Sequence, residues 1–329
     1  MPTTPSRSAL PTIRIACGAY DRVAPLADGH VTADGYRLEM QLMDPHDLPG
    51  SFLTCEDVAM AELSLGQYVQ LLAAGRDDLV ALPIFLAMGF RFDAVYGARG
   101  GPVSTISDLD GARIGVPMYF GTSITWIRGV LEDFYGVDFA RSRWVVGAVD
   151  GAAGEPRRHH PAGADVSYVR PGDCLSAMLR RGEVDALLSY EIPSAYRSGH
   201  AERLIADIAA AETAYHAWTG IIPLVHCLVG RRADFANDPA RYSSLTTAFT
   251  AAKDMALARL GDMSCFTTSL PFLPRPVERA VEMLGVDFWP YGLERNRKAV
   301  ETFLDYTVRH GLLSQQLTVA DLFPFEAMH

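Results

Sequence analysis

The sequence is poor in several things that specialised functions need. It has only five cysteines, Cys17, Cys55, Cys174, Cys227 and Cys265. They are scattered and odd in number, with no Cys-x-x-Cys. That argues against a disulfide framework or a zinc site and suits reduced thiols in a cytoplasm. No uninterrupted apolar run is long enough to span a bilayer, so no membrane partner is expected. Positive charge is in deficit: 29 basic residues against 39 acidic ones give a net charge of −10. Such a chain repels phosphate backbones, and nucleic acid is a poor partner. A small anionic molecule remains open, because its site needs only a few local cations. There is no Gly-x-Gly-x-x-Gly and no Walker loop, so no nucleotide cofactor is expected. No His-x-x-x-His or comparable spacing points to a metal. The first residues carry no apolar h-region or small-residue cleavage site, so no secretory signal is expected.

What is present suits a globular protein: 49% apolar and 21% charged residues. A length of 329 residues exceeds one ordinary compact core and predicts two lobes. Residues 1–10 read as a disordered tail. Short strands are predicted at 13–17, 36–43, 57–62, 80–85, 92–96, 113–117, 143–146, 184–189 and 225–229. Helices are predicted at 65–74, 122–135 and 174–181, and the chain turns mostly helical from Tyr242. Residues 150–164 read as a surface loop. Alternating strands and helices argue for mainly parallel sheets.

The run Asp108-Leu109-Asp110-Gly111-Ala112-Arg113-Ile114-Gly115-Val116 resembles the opening of the second lobe in type II periplasmic-binding-protein folds. About 70 residues later, Gly182-Glu183-Val184-Asp185-Ala186 is similar to another segment of that fold. The resemblance implies an α/β, two-lobed type II periplasmic-binding-protein-like fold. Each lobe would be a mixed, mainly parallel sheet flanked by helices, with the ligand cleft between lobes. Residues 11–97 and 223–329 would form one lobe and 98–222 the other.

Narrower marks are Ala16-Cys17-Gly18-Ala19-Tyr20-Asp21-Arg22, Glu62-Leu63-Ser64-Leu65-Gly66-Gln67-Tyr68, Phe90-Arg91 and Gly220-Ile221-Ile222-Pro223-Leu224-Val225-His226. Phe288-Trp289-Pro290-Tyr291-Gly292 and Leu317-Thr318-Val319-Ala320-Asp321-Leu322-Phe323 complete the set. In order and spacing, from about residue 12 to residue 325, they resemble the 4,5-dihydroxyphthalate decarboxylase family. Three positions depart from the family pattern. Phe92 stands where a His follows Phe-Arg, Met118 stands where Gly-Val-Pro is followed by Glu, and Ala19 stands at a commonly acidic position. If those side chains touch substrate, this chain handles a different one.

In open α/β sheets ligands sit beyond the carboxyl ends of strands, and the marked segments fall there. Arg91 and Arg22 are candidate carboxylate clamps, since a guanidinium matches a carboxylate in plane; the bland reading is an ion pair. His226 is a candidate proton donor or a buried, hydrogen-bonded histidine. Glu62 would bind a phenolic hydroxyl or pair with an arginine. Ser64 is a candidate ligand or an N-cap. Thr122 and Ser123 open a helix whose free N–H groups favour an anion, or simply cap it. Tyr20 and Glu191 complete the expected substrate-binding set. His159 and His160 read as solvated, and Trp289 and Tyr291 as packing aromatics.

The resemblance implies a cofactor-independent decarboxylase of a hydroxylated aromatic acid. In the family's reaction 4,5-dihydroxyphthalate becomes 3,4-dihydroxybenzoate. Each carboxylate is para to a hydroxyl, whose deprotonation pushes electrons into the ring before a proton replaces the departing group. Arg91 and Arg22 would clamp, Glu62 would hold the hydroxyl and His226 would supply the proton. Two alternatives stay open: a cytoplasmic binding protein without catalysis, and a biosynthetic enzyme acting on another conjugated acid. The oligomeric state, including a homo-oligomer, is also open.

Overall fold

The structure, a computed structural model, describes residues 10–44, 52–53, 57–151, 160–262, 264 and 268–325. The expected tail apart from Leu10, two of the cysteines (Cys55 and Cys265), and Arg157, Arg158 and His159 lie outside them. The strands are β1 (Thr12–Cys17), β2 (Arg37–Leu42), β3 (Met60–Ser64), β4 (Leu79–Met88), β5 (Val95–Ala98) and β6 (Arg113–Val116). They continue with β7 (Arg143–Val146), β8 (Val166–Tyr168), β9 (Ala186–Leu188), β10 (Ala201–Arg203) and β11 (Leu224–Arg231). The longer helices are α1 (Leu65–Ala73), α2 (Thr122–Tyr135), α3 (Ile208–Thr219), α4 (Pro239–Gly261), α5 (Pro274–Leu284) and α6 (Arg297–Arg309).

Two mixed sheets result, ordered β2-β1-β3-β11-β4 and β10-β5-β9-β6-β7-β8. In the first, β1 runs parallel to β2 and β3, while β11 runs antiparallel to β3 and β4. The reason is the chain path. It leaves this sheet at Met88 and re-enters at Leu224, the register partner of Met88, so β11 must run back along β4. In the second sheet β9, β6, β7 and β8 are mutually parallel, and β5 and β10 are antiparallel to their neighbours.

The first crossing comes earlier than the 97/98 division read from the sequence. β5 pairs with β9 and β10, so the sheets change over between Met88 and Val95. Residues 92–96 are accordingly not one strand. Phe92–Ala94 is a 3-10 turn, with the Ala94 N–H donating to the Arg91 carbonyl at 3.0 Å. Phe92 is buried there, edge-on to Phe134 and tilted against Tyr215. The return crossing falls between β10 and β11, after α3, a helix the hydrophobic pattern did not announce.

The two sheets share one core. Ala61 and Leu63 on β3 belong to the same buried cluster as Trp126 and Ile127 on α2 and Ile114 and Leu188 in the second sheet. Trp126 contributes a large apolar surface and still satisfies its polar edge, since Nε1 donates to the Leu224 carbonyl at 2.7 Å. No helix among the described residues is long and apolar enough to cross a membrane.

Candidate active site

The candidate site is assembled where β1, β3, β11 and β4 lie side by side in the first sheet. On β3 the alternation of the strand turns Glu62 inward, and its side chain is 0% exposed. A buried carboxylate must be hydrogen-bonded. Glu62 Oε2 accepts from the Gly18 N–H at 2.8 Å, and Oε1 accepts from the Tyr20 hydroxyl at 2.7 Å. His226 on β11 lies across the ladder, with Nδ1 2.5 Å from the same Oε1. Burial pushes the Glu62 carboxyl up. The His226 hydrogen bond and charge, the Gly18 N–H and the Tyr20 hydroxyl outweigh it and hold the group below the usual carboxylate range. Glu62 is therefore ionised, and Nδ1 carries the shared proton. The His226 side chain stays 20% exposed, and Nε2 has no hydrogen-bond partner among the described residues. The expectation that Glu62 binds a substrate hydroxyl does not fit this geometry, because both of its oxygens are occupied and sealed.

Tyr20 also turns inward. Burial, then the charge and hydrogen bond of Glu62, push its hydroxyl well above the ordinary tyrosine range, so it remains a donor. Its ring lies over Gly18, where a Cβ would come within 2.6 Å of Tyr20 Cζ. Only glycine permits that approach. As a direct ligand for substrate, Tyr20 is spent on Glu62.

Arg22 is equally committed. Between His226 and Leu228 the ladder to β4 slips from Ala87 to Leu82, so residues 83–86 form a buried bulge out of register with β11. The break coincides with Pro83, which has no N–H to give the ladder. The freed carbonyls find other donors: Pro83 takes the Gly292 N–H at 2.8 Å and Phe85 takes Trp289 Nε1 at 2.9 Å. Leu86 takes Arg22 Nε at 3.0 Å and also Arg22 Nη2. Arg22 Nη1 reaches Asp21 at 3.2 Å, and the Tyr20 and Trp289 rings each lie 4.1 Å from its guanidinium carbon. A guanidinium so held braces a bulge and has little left for a carboxylate.

Arg91 differs. It sits at the crossing between the sheets, and its buried Nε has no hydrogen-bond partner among the described residues. Tyr190, just past β9, feels its charge. Burial and Glu191 raise the Tyr190 hydroxyl, and Arg91 acts in the opposite direction. Tyr190 was not anticipated; its position directly after a cleft-ending strand was the available signal.

Ser64 caps α1, accepting from the Gln67 N–H at 3.2 Å, and is the register partner of His226. Thr122 is not the N-cap of α2; Gly121 is. The Thr122 hydroxyl instead accepts from the Gly66 N–H at 2.9 Å, joining the starts of α1 and α2 and hence the two sheets. Ser123 is buried in the first turn of α2. Glu191 is exposed; its backbone N–H donates to Ser189 Oγ at 3.1 Å and its carbonyl accepts from that hydroxyl at 2.7 Å. No bond links Glu191 to the Glu62 cluster. Of the departures from the family pattern, Phe92 is core, whereas Met118 is half-buried against Gly121 and Ala19 is exposed. His160 is exposed. Among the described residues no three His, Cys, Asp or Glu side chains gather as metal ligands.

Two mixed sheets joined by two crossings define a periplasmic-binding-protein-like fold, and it carries a buried carboxylate bonded to a partly exposed imidazole in the first sheet. The periplasmic aliphatic sulphonate binding protein SsuA from Escherichia coli shares that fold, with a TM-score of 0.54 at 14% identity over 98% of this chain and 100% of that one. A 4,5-dihydroxyphthalate decarboxylase from Comamonas testosteroni is 33% identical over 319 residues, 94% of this chain and 96% of its own length. One from Pseudomonas putida is 34% identical over 190 residues, 57% of this chain and 74% of its own length. No family model matches the sequence. The chain belongs to the 4,5-dihydroxyphthalate decarboxylase family.

Proposed function

We propose that this chain decarboxylates a hydroxylated aromatic acid of the phthalate class, and that His226 Nε2 gives the proton that replaces the departing carboxylate. The observation that carries the reading is the sealed Glu62 holding His226 Nδ1 at 2.5 Å while the side chain keeps one exposed edge. An ionised carboxylate accepting from Nδ1 fixes the orientation of the imidazole ring.

The balance of the reaction supports a donor at this place. The carbon–carbon bond breaks, its electron pair stays on the ring carbon, and carbon dioxide leaves. The ring carbon takes one proton, so each turnover consumes one and needs no oxidant or reductant. A proton moved off the para hydroxyl returns to it and does not change the balance. The group that must be present is therefore an acid near the ring carbon. His226 supplies it, and Glu62 acts through His226 as a positioning residue. Arg91, with Tyr190 beside it, is the carboxylate receptor. The joined starts of α1 and α2 keep the two sheets closed over the ligand and exclude water. The unpaired, buried thiols of Cys17 and Cys227 suit a reducing, cytoplasmic compartment.

The test is product analysis on 4,5-dihydroxyphthalate and on related hydroxylated aromatic acids. Carbon dioxide and the acid one carboxylate smaller are expected. Binding of these acids with no carbon dioxide from any of them would overturn the reading and leave a receptor.

A further inference from the structure

Glu62 Oε1 is shared. His226 Nδ1 reaches it at 2.5 Å and the Tyr20 hydroxyl at 2.7 Å, while Oε2 is taken by the Gly18 N–H. We propose that Tyr20 is a positioning residue that sets how firmly His226 holds its proton, by competing with the imidazole for Glu62 Oε1. The catalytic consequence rests on the reading of His226 as the proton donor; the coupling itself does not.

The coupling is electrostatic. Each donor on a carboxylate draws charge toward itself, so a second donor on Oε1 leaves less for His226. The phenol has no freedom to withdraw. One side of its ring is fixed over Gly18, and Arg22 stacks on it at 4.1 Å, itself backed by Trp289. The titratable groups on neighbouring elements are these. On β1 and β11, Cys17 and Cys227 remain neutral thiols, the first pushed up to about 12 by burial. Tyr291 stays a neutral phenol, raised by burial. On β3 and β4 the register partners of His226 are Ser64 and Ala87, neither of which titrates. Among the described residues the cation stacked on Tyr20 is Arg22, itself bonded to Asp21 and to Leu86.

The experiment is an NMR titration of the His226 imidazole in the full chain, its signals assigned by their loss in His226→Gln. In Tyr20→Phe the midpoint is expected to rise by about half a pH unit or more. Gly18→Ala, whose new methyl displaces the Tyr20 ring, should shift it the same way and serves as the readout if Tyr20→Phe does not fold. The alkaline limb of the kcat profile should follow the midpoint. A midpoint that stays in place or falls in the folded variants overturns the proposal. A raised midpoint with an unmoved alkaline limb supports the coupling and counts instead against His226 as the donor.

Discussion

Glu62 and His226 touch at 2.5 Å, yet one is sealed at 0% side-chain exposure and the other keeps 20%. The pair therefore has an inner member that holds charge and an outer member that, on the function proposed above, meets the ligand.

The inner member should matter to pH stability. The folded-state carboxyl of Glu62 lies below its unfolded value, so its contribution is present above the unfolded value of about 4.3 and is lost as pH falls through the folded value. Glu62→Gln should cost about 1–3 kcal/mol at neutral pH. Its deficit in chemical denaturation should shrink as pH drops below about 4.3. A deficit independent of pH over that range would contradict an ionised Glu62.

The two arginines should separate. Arg91→Ala removes a receptor and should raise KM roughly tenfold to a hundredfold, the loss of a charged hydrogen bond, with little change in melting temperature. Arg22→Ala frees the Leu86 carbonyl and opens the stack, so it should lower stability by about 1–3 kcal/mol. Steady-state kinetics beside denaturation curves read both effects. The reverse pattern would exchange their roles.

At the joined helix starts, Thr122→Val leaves the buried Gly66 N–H without an acceptor and should cost about 1–3 kcal/mol. Gly66→Ala brings a Cβ within 2.9 Å of Thr122 Oγ1 and should part the helix starts. Both variants should bind aromatic acids more weakly, as calorimetry would show. Unchanged affinity in both would remove the helix starts from the account.

The thiols should be inert. Burial pushes Cys17 up to about 12 and raises Cys227 further, so alkylation of the native protein at pH 8 should label neither. Mass spectrometry of the peptides checks it, and rapid labelling of Cys17 would mean that the cluster around Glu62 is open.

Much of this architecture was legible. The Asp-Leu-x-Gly run led straight into β6, and Gly182 to Ala186 led into β9, because both are local turn-and-strand signals. The Glu62 and His226 pairing was half legible: each residue stood out, but their contact depends on β11 returning between β3 and β4 across 164 residues. The bracing contact of Arg22 was not legible, because its partner is a carbonyl 64 residues away, released by a bulge that an apolar run conceals. Thr122 read as a cap because hydroxyls usually cap; Gly121 took that place and freed the hydroxyl for Gly66. β8 and β10 are three-residue strands, too short to show a period.

The most direct test compares carbon dioxide release by the parent protein and by His226→Gln at saturating 4,5-dihydroxyphthalate, with affinity measured by calorimetry. The account predicts turnover by the parent and a fall in kcat of about 10²- to 10⁴-fold in the variant, with affinity nearly unchanged. A variant that releases carbon dioxide within about threefold of the parent would contradict His226 as the proton donor.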